Sequence, residues 1–225
     1  MILIISPHQI NMFSRNRRYS LNTAKSAPSS RKYRLEEEEA SEEEERYNYV
    51  RVKDNDIYFF CPVSTDSVLD LSVAINTLTK ELLILGIQFG IEPPPINLYI
   101  HSDGGEVHSA LSVFDLIKNN KVNINTIITG NASSAATIIS MAGHTRKITS
   151  NSYMLIHNIS SEFWGKMHEF EDELKNMAKV TSNLKKIYKD HSNITKKQLD
   201  DLLKKDLLLD ANTCVKYGLV DAICL

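Results

Sequence analysis

Stretches that favour β-strands alternate with stretches that favour helices from Tyr47 to the end of the chain. The first pair shows the pattern: the β-prone run Asp56–Cys61 ends at Pro62, and apolar residues at helical spacing follow Ser64. Gly86, Gly90 and the prolines Pro93–Pro95 mark the end of that helix. Strands joined through helices usually run parallel in one sheet, so the pattern predicts an α/β domain with a mostly parallel sheet.

The later elements continue this alternation. The predicted strands are Ile96–Ile100, Val122–Ile128, Tyr153–Ile156 and Leu219–Ile223, a turn lies over Gly130–Ser133, and the predicted helices are Ala110–Ile117, Ser134–Met141, Ser161–Asp190 and one that starts at Thr195. The helix Ser161–Asp190 carries an apolar stripe longer than its own sheet needs. It is either a core helix or a projecting helix that meets another subunit, and its length favours the second interpretation.

The first 46 residues differ from the rest of the chain. No acidic residue occurs from Met1 to Leu35, where Arg and Lys are scattered among Ser, Asn and Thr; an acidic run, Glu36–Glu45, follows. Such a charge block repels itself and buries no apolar surface. We therefore predict an extension over residues 1–46 that is disordered, a targeting segment or a propeptide, and a folded domain over residues 47–225.

Composition excludes several functional classes. A chain of 225 residues with net charge −2 has no basic excess for nucleic acid or an anionic membrane, and no run of 18 apolar residues predicts a transmembrane helix. The three cysteines form no C-x-x-C pair and are predicted to be reduced thiols. No ligand spacing predicts a metal site. The expected location is the cytoplasm; organellar import is the alternative, because the Arg- and Ser-rich start fits a transit peptide.

Ser134 is a candidate nucleophile because it lies where an apolar strand turns into a helix among small residues. That position combines a hydroxyl with free backbone N–H groups at a helix N-terminus, where negative charge is favoured. The structural alternative is a serine that only caps the helix. Ser133 is a rival nucleophile in the same turn.

A general base is harder to select. His157 ends an apolar run and is expected at the carboxyl edge of a strand, where α/β active sites gather. His101 follows another strand in the same way and competes with it. Spacing does not choose among the carboxylates that could orient the base.

Four segments resemble the ClpP family, the proteolytic subunits of the Clp proteases, in the family's order. They are Leu98–Gly105, Gly130–Ala136, Asn151–His157 and Tyr217–Asp221, and the resemblance spans about Ile57 to Ile223. It implies a ClpP/crotonase-like α/β fold of βα units with a protruding long handle helix.

Carried over residue by residue, the resemblance implies a serine endopeptidase that works through an acyl-enzyme. Ser134 is then the nucleophile, His157 the general base and Asp206 the carboxylate of the catalytic triad. The backbone N–H groups of Gly105 and Ala135 form the oxyanion hole. No metal or organic cofactor is implied.

The resemblance also implies partners. They are peptide or unfolded protein substrates and other copies of the chain, in a heptameric ring or two stacked heptamers joined through the handle helix. An AAA+ unfoldase is left open, because the segment that meets it in the family has no recognisable counterpart here.

The family commonly has proline where Asp103 stands. A carboxylate there that pointed inward would oppose an oxyanion, whereas one that pointed outward would cap the turn. Two rival functions are a non-catalytic ring subunit and an acyl-CoA enzyme of the same superfamily.

Overall fold

The computed structural model describes residues 50–160, 162 and 164–224. The predicted N-terminal extension, residues 1–46, and the predicted domain start lie outside the described residues. The strands are β1 (Val50–Lys53), β2 (Asp56–Phe59), β3 (Ile96–Ser102), β4 (Ile124–Ser133), β5 (Arg146–Thr149), β6 (Tyr153–Leu155), β7 (Leu208–Asp210) and β8 (Ala222–Cys224). The helices are α1 (Thr65–Phe89), α2 (Val107–Lys118), α3 (Ala135–Met141), α4 (Met167–Asp190), α5 (Lys196–Leu202) and α6 (Ala211–Lys216).

These strands form one sheet that is mostly parallel, as the alternation predicts. Its main path runs β1-β2-β3-β4-β5-β8. All neighbours from β2 to β8 on that path are parallel, and β1 is antiparallel to β2. Off the path, β6 lies parallel to β4 and β7 lies antiparallel to β6. The prediction of an α/β domain is confirmed.

Strand β4 extends further than predicted because it pairs with two strands in succession. It pairs with β5 through Thr126–Ile128 and with β6 through Asn131–Ser133. The predicted turn over Gly130–Ser133 is therefore wrong, and the strand continues up to the residue before Ser134. Its second half is a strand only because β6 supplies hydrogen-bond partners, which no local pattern reveals.

Helix α1 forms where the apolar periodicity predicts it. The Ser64 Oγ caps it by accepting a hydrogen bond from the Ser67 N–H at 3.2 Å, and Gly90 ends it in the left-handed conformation with φ of 64°. The buried positions at helical spacing are Val68, Leu71, Ile75, Leu78 and Leu82. Burial of each large apolar side chain stabilises the fold by about 1.5–3 kcal/mol.

Helix α4 begins later than predicted, at Met167 instead of Ser161. Residues 164–166 are not helical, and the Lys166 N–H donates to the Glu169 Oε2 at 2.6 Å where the helix starts. The first part of α4 leaves apolar side chains exposed, among them Met167 and Leu174, whereas its last turns bury Leu184, Ile187 and Tyr188. Only the C-terminal part of α4 therefore packs on the domain, which favours the projecting helix over the core helix.

Helix α3 is fully buried, with all seven of its residues in the core. It packs against α2, β4 and α4. Because it starts directly after β4, the residue between them, Ser134, is held between two elements that cannot shift independently of the core.

Candidate active site

Ser134 lies in a strained turn between β4 and α3. Its backbone has φ of 57° and ψ of −124°, a left-handed φ that a non-glycine residue adopts at a penalty of about 1–3 kcal/mol. The Ser134 N–H donates to the Leu155 carbonyl at 2.8 Å, and the Ser134 carbonyl accepts from the Thr137 Oγ1 at 2.5 Å. These bonds hold the strained conformation from both sides.

The Ser134 hydroxyl does not serve the helix that it precedes. Its Oγ is buried, makes no side-chain capping bond to α3 and has no hydrogen-bond partner among the described residues. Ser134 therefore occupies the N-cap position of α3, but its side chain does not cap the helix. A buried hydroxyl without a partner is unfavourable for folding alone, and such groups occur where chemistry or binding uses them.

A glycine pair, Gly104 and Gly105, approaches the turn that holds Ser134. Gly104 approaches so closely that a Cβ there would lie 2.7 Å from the Ser134 Cβ and 3.0 Å from the Ala135 nitrogen. The Val63 N–H donates to the Gly104 carbonyl at 2.9 Å, which ties the pair to the segment before α1. In the described part of the chain, the N–H groups of Gly105 and Ala135 donate no hydrogen bond. Both predicted oxyanion donors are thus unengaged and belong to adjacent segments.

Alanine at Gly105 is expected to destabilise the domain by about 3 kcal/mol, from backbone strain and overpacking. Gly105 has φ of 149°, and an added Cβ would lie 2.1 Å from the Val63 carbonyl oxygen. Gly90 is the matched control, because it also has a positive φ but no atom within 4 Å of an added Cβ. Gly90→Ala is expected to lose only about 1–2 kcal/mol. Urea unfolding of both variants measures the difference, and equal losses would contradict the steric argument.

His157 follows β6, which pairs with the end of β4, so the sheet carries it to the same edge as Ser134. Its side chain is 9% exposed, and its Nε2 is buried with no hydrogen-bond partner among the described residues. Burial lowers the pKa of His157 below its ordinary value of 6.5, and the nearby Asp206 carboxylate partly opposes that shift. The imidazole is therefore neutral, and able to accept a proton, at neutral pH.

Asp206 lies in the segment between α5 and β7 and faces His157. Its Oδ1 is 3.7 Å from the His157 Nδ1, and its side chain is 80% exposed. This separation allows the carboxylate to attract the imidazole once it is protonated, but it is longer than a hydrogen bond. Catalytic hydrogen bonds are often long in structures without substrate.

Ser134 and His157 line one narrow cavity. The rest of its wall comes from α3, α4 and the segments after β6 and α5: Ile138, Asn158, Ile159, Thr181, Leu184, Lys185, Tyr188 and Leu203. The two buried, unpartnered polar atoms of the described residues, the Ser134 Oγ and the His157 Nε2, thus belong to residues of the same cavity.

The two competing candidates from the sequence, Ser133 and His101, contact other groups. The Ser133 Oγ donates to the Asn131 Oδ1 at 2.8 Å, and the His101 Nδ1 lies 2.9 Å from the Thr129 carbonyl oxygen. Neither rival lines the cavity. The Asp103 carboxylate accepts a hydrogen bond from the Asn131 side-chain amide at 2.6 Å in an exposed position, so it points outward.

Sequence reasoning missed Thr137 and Tyr188. The Thr137 Oγ1 binds both the Ser134 carbonyl and the Tyr188 hydroxyl. Thr137 could have been found, because it lies one helical turn after the candidate nucleophile. Tyr188 carries no such signal, because its contact with Thr137 spans 51 positions of the chain.

Comparison with known proteins agrees with this geometry. Residues 61–225, well over half of the chain, match the Clp protease family. The chain is a member of the Clp protease family. It is also similar to the ATP-dependent Clp protease proteolytic subunit of Deinococcus radiodurans, with 29% identity over 174 residues that cover 76% of this chain and 81% of that protein.

Membership in the Clp protease family confirms the resemblance seen in the four motifs and makes the chain a ClpP-like protease subunit. The eight-stranded mixed sheet and the six described helices are consistent with the ClpP fold. Within the described residues, no group of three His, Cys, Asp or Glu side chains could hold a metal ion. No described helix is both long and apolar enough to cross a bilayer.

Proposed function

We propose that this Clp protease family member is a serine endopeptidase subunit of a self-compartmentalised protease, with Ser134, His157 and Asp206 as its catalytic triad. The observation that carries the proposal is the pair of buried polar atoms, the Ser134 Oγ and the His157 Nε2, that lack partners and border one cavity. Because neither atom has a hydrogen-bond partner among the described residues, both are available to a substrate.

In the acylation step, the Ser134 Oγ attacks the peptide carbonyl carbon while the His157 Nε2 takes the hydroxyl proton. Asp206 stabilises the imidazolium that forms. The N–H groups of Gly105 and Ala135 donate to the oxyanion, and removal of one such donor typically lowers kcat by about 10²–10³-fold. The C–N bond then breaks, the imidazolium gives its proton to the leaving amine, and the acyl group remains on Ser134.

In deacylation, water takes the place of Ser134 as the nucleophile, and Ser134 becomes the leaving group. The His157 Nε2 takes a proton from water, the resulting hydroxide attacks the acyl carbon, and the Ser134 Oγ leaves with the proton returned by His157. The N–H groups of Gly105 and Ala135 stabilise the second oxyanion as well. No described residue is left in an altered protonation state at the end of the cycle.

The experiment that tests this function is covalent labelling with a fluorophosphonate, followed by mass spectrometry of the protein and of its peptides. One adduct on Ser134 is the expected result, because only a hydroxyl with an adjacent base reacts readily. An assembled, folded protein that takes no adduct would contradict the proposal.

One observation favours a second candidate, a non-catalytic ring subunit. Asp206 is largely exposed, and its Oδ1 lies 3.7 Å from the His157 Nδ1. At that distance the carboxylate does not fix the imidazole by a hydrogen bond in this structure. Such a subunit would assemble into the ring but take no adduct on Ser134. The labelling experiment therefore separates the two candidates.

The expected partners are part of the proposal. Exposed apolar side chains on the first part of α4 and at the end of α1, such as Leu174 and Phe89, support assembly with other copies of the chain in a ring. Substrates are peptides and unfolded proteins, and an AAA+ unfoldase would supply the ATP dependence that the name of the Deinococcus relative states.

The proposed location is the cytoplasm. Free thiols at Cys61, Cys214 and Cys224 support a reducing compartment.

The value of kcat/KM for a short peptide is expected to fall on the acid side with a midpoint below pH 6.5. Burial lowers the pKa of His157, and only the neutral imidazole accepts the Ser134 proton, so activity is lost as pH falls through that lowered pKa. Initial rates between about pH 4.5 and about pH 8.5 measure the profile. His101→Gln is the matched control and should leave the midpoint unchanged; a midpoint that moves with His101 would assign the base to the wrong histidine.

A further inference from the structure

Asp103 is held beside Ser134 by a chain of hydrogen bonds that the proposed chemistry does not use. The Ser133 Oγ donates to the Asn131 Oδ1 at 2.8 Å, and the Asn131 side-chain amide donates to the Asp103 Oδ1 at 2.6 Å. Ser133 is buried and directly precedes Ser134, whereas Asp103 is exposed. These bonds therefore anchor an exposed carboxylate to a buried residue next to the proposed nucleophile.

The strand order brings Asp103 and His157 to Ser134 from opposite sides. At this edge of the sheet, β4 lies between β3 and β6. Asp103 directly follows β3, Ser134 directly follows β4, and His157 comes two positions after β6. Gly104, the residue after Asp103, lies so close that an added Cβ would be 2.7 Å from the Ser134 Cβ. The Asp103 carboxylate thus borders the place where a bound peptide meets the buried, unpartnered Ser134 Oγ.

No described cation forms an ion pair with Asp103. The ion pairs within residues 50–160, 162 and 164–224 involve other carboxylates: Asp172, Asp200, Asp206 and Asp221. Glu106, on the other side of the glycine pair, adds a second negative charge, and its Oε2 accepts hydrogen bonds from the Thr65 and Ser109 hydroxyls at 2.9 and 2.7 Å. A peptide bound at Ser134 therefore meets negative charge that no described ion pair offsets.

A substrate side chain is long enough to reach the Asp103 carboxylate. Consecutive residues of an extended peptide advance by about 3.3–3.6 Å, so those within two positions of the cleaved bond lie within about 7 Å of it. Asp103 itself is two residues before Gly105, the proposed oxyanion donor, and each step between Cα atoms is about 3.8 Å. Lysine and arginine carry their charge on long flexible stems that span such a distance.

We propose that Asp103 selects peptides with a lysine or arginine within two positions of the cleaved bond and disfavours peptides with an acidic residue there. The inference rests on the proposed function and specifies its substrates. A positive side chain pairs with the carboxylate, whereas a negative one is repelled. Because the bond from Asn131 already holds the carboxylate, the pairing orders little on the side of the protein.

The probes are internally quenched peptides that differ at one position, which carries lysine, glutamine or glutamate. The varied position is moved through the two residues on either side of the cleaved bond, and mass spectrometry of the products identifies that bond. Asp103→Asn removes the charge, while its side-chain oxygen still accepts the hydrogen bond from Asn131. Asp103→Lys reverses the charge. The readout is the ratio of kcat/KM between peptides, which does not depend on the overall rate of a variant.

Asp54→Asn is the matched control, because it makes the same change of charge far from Ser134. Asp54 lies between β1 and β2 with φ of 54°, a conformation that asparagine also adopts readily. The pairing of Asp56 with Asn97 places this turn beside the start of β3. Seven residues of β3 separate that end from Asp103, a distance of about 20 Å. Charges so far apart are largely screened, since the Debye length is about 8 Å at physiological ionic strength.

The unaltered protein is expected to favour lysine over glutamine in kcat/KM by about 2–5-fold at one or more of these positions, the size of an exposed ion pair. Lysine should exceed glutamate by about 10-fold, because attraction and repulsion add. Asp103→Asn should bring the ratios close to one, Asp103→Lys should favour glutamate, and Asp54→Asn should keep the original ratios. An increase in salt from about 0.05 M to about 0.5 M should weaken the preference.

Different results would overturn different statements. Equal ratios in the unaltered protein at every position, or a lysine preference that survives in Asp103→Asn, would refute the role of Asp103 and leave the protease intact. No hydrolysis of any peptide together with no fluorophosphonate adduct on Ser134 would refute the proposed function itself. If Ser134 takes the adduct but hydrolysis is too slow to follow, the concentrations at which the lysine and glutamine peptides slow the labelling give the same comparison. Thermal unfolding checks each variant, and if Asp103→Lys fails to fold, Asp103→Asn decides.

Discussion

Ser134→Ala is expected to abolish peptide hydrolysis while leaving the fold intact. Loss of the nucleophile in a triad enzyme lowers kcat by about 10⁶-fold, because the remaining triad residues do not act without it. Stability should hardly change, because the Ser134 Oγ has no hydrogen-bond partner among the described residues and its removal breaks no bond within them. Hydrolysis of a short peptide and thermal unfolding measure the two effects.

Ser133→Ala is the matched control for that variant. Ser133 is also buried and precedes Ser134 directly, but its Oγ donates to Asn131 and lines no part of the cavity. Its removal should lower stability by about 1 kcal/mol, the typical contribution of one hydrogen bond, and keep hydrolysis. If Ser133→Ala were inactive and Ser134→Ala active, the nucleophile would be the neighbouring serine.

Asp206→Asn is expected to lower kcat by about 10⁴-fold at neutral pH. The neutral amide cannot stabilise the imidazolium of His157 and does not favour the tautomer that leaves the Nε2 free to accept a proton. Asp206 raises the pKa of His157 against the effect of burial, so its replacement should also move the acid midpoint of the pH profile further down. Peptide hydrolysis across the pH range measures both changes.

Asp210→Asn is the matched control for the carboxylate. Asp210 caps α6, where its Oδ1 accepts a hydrogen bond from the Thr213 N–H at 2.7 Å. Asparagine caps a helix nearly as well as aspartate, so this variant should keep both stability and rate. A loss below about 10-fold in Asp206→Asn would mean that the 3.7 Å contact with His157 does not orient the base.

Local signals predicted most of the elements. The start of α1 close to Ser64 and its end between Gly86 and the prolines Pro93–Pro95 follow from short-range sequence rules. So does the start of α5 at Thr195, whose Oγ1 accepts from the Gln198 N–H. The start of α4 did not follow, because apolar residues such as Trp164 continue the helical spacing where the chain is not helical. Periodicity describes which face is apolar, but it does not show where a helix begins.

The site was predictable only in part. A serine at a strand-to-helix turn and a histidine at a strand end were visible in the residues, but Ser133 and His101 matched the same descriptions. Asp206 entered only through the resemblance to the ClpP family, because it lies 49 positions after His157 and no periodicity links them. The choice among these groups depends on which of them reach one cavity, and that is a property of strand order.

The sequence by itself determined the alternation of strands and helices, the existence of α1 and the family, because these depend on residues close together in the chain. The tertiary structure decided that β4 continues to Ser133, that the strained Ser134 has an Oγ with no partner among the described residues, and that Tyr188 lines the cavity and contacts Thr137. These features depend on contacts between distant segments: β6 pairs with the end of β4, and α4 and α3 both line the cavity beside Ser134. Such contacts arise only when the whole sheet and its helices pack together.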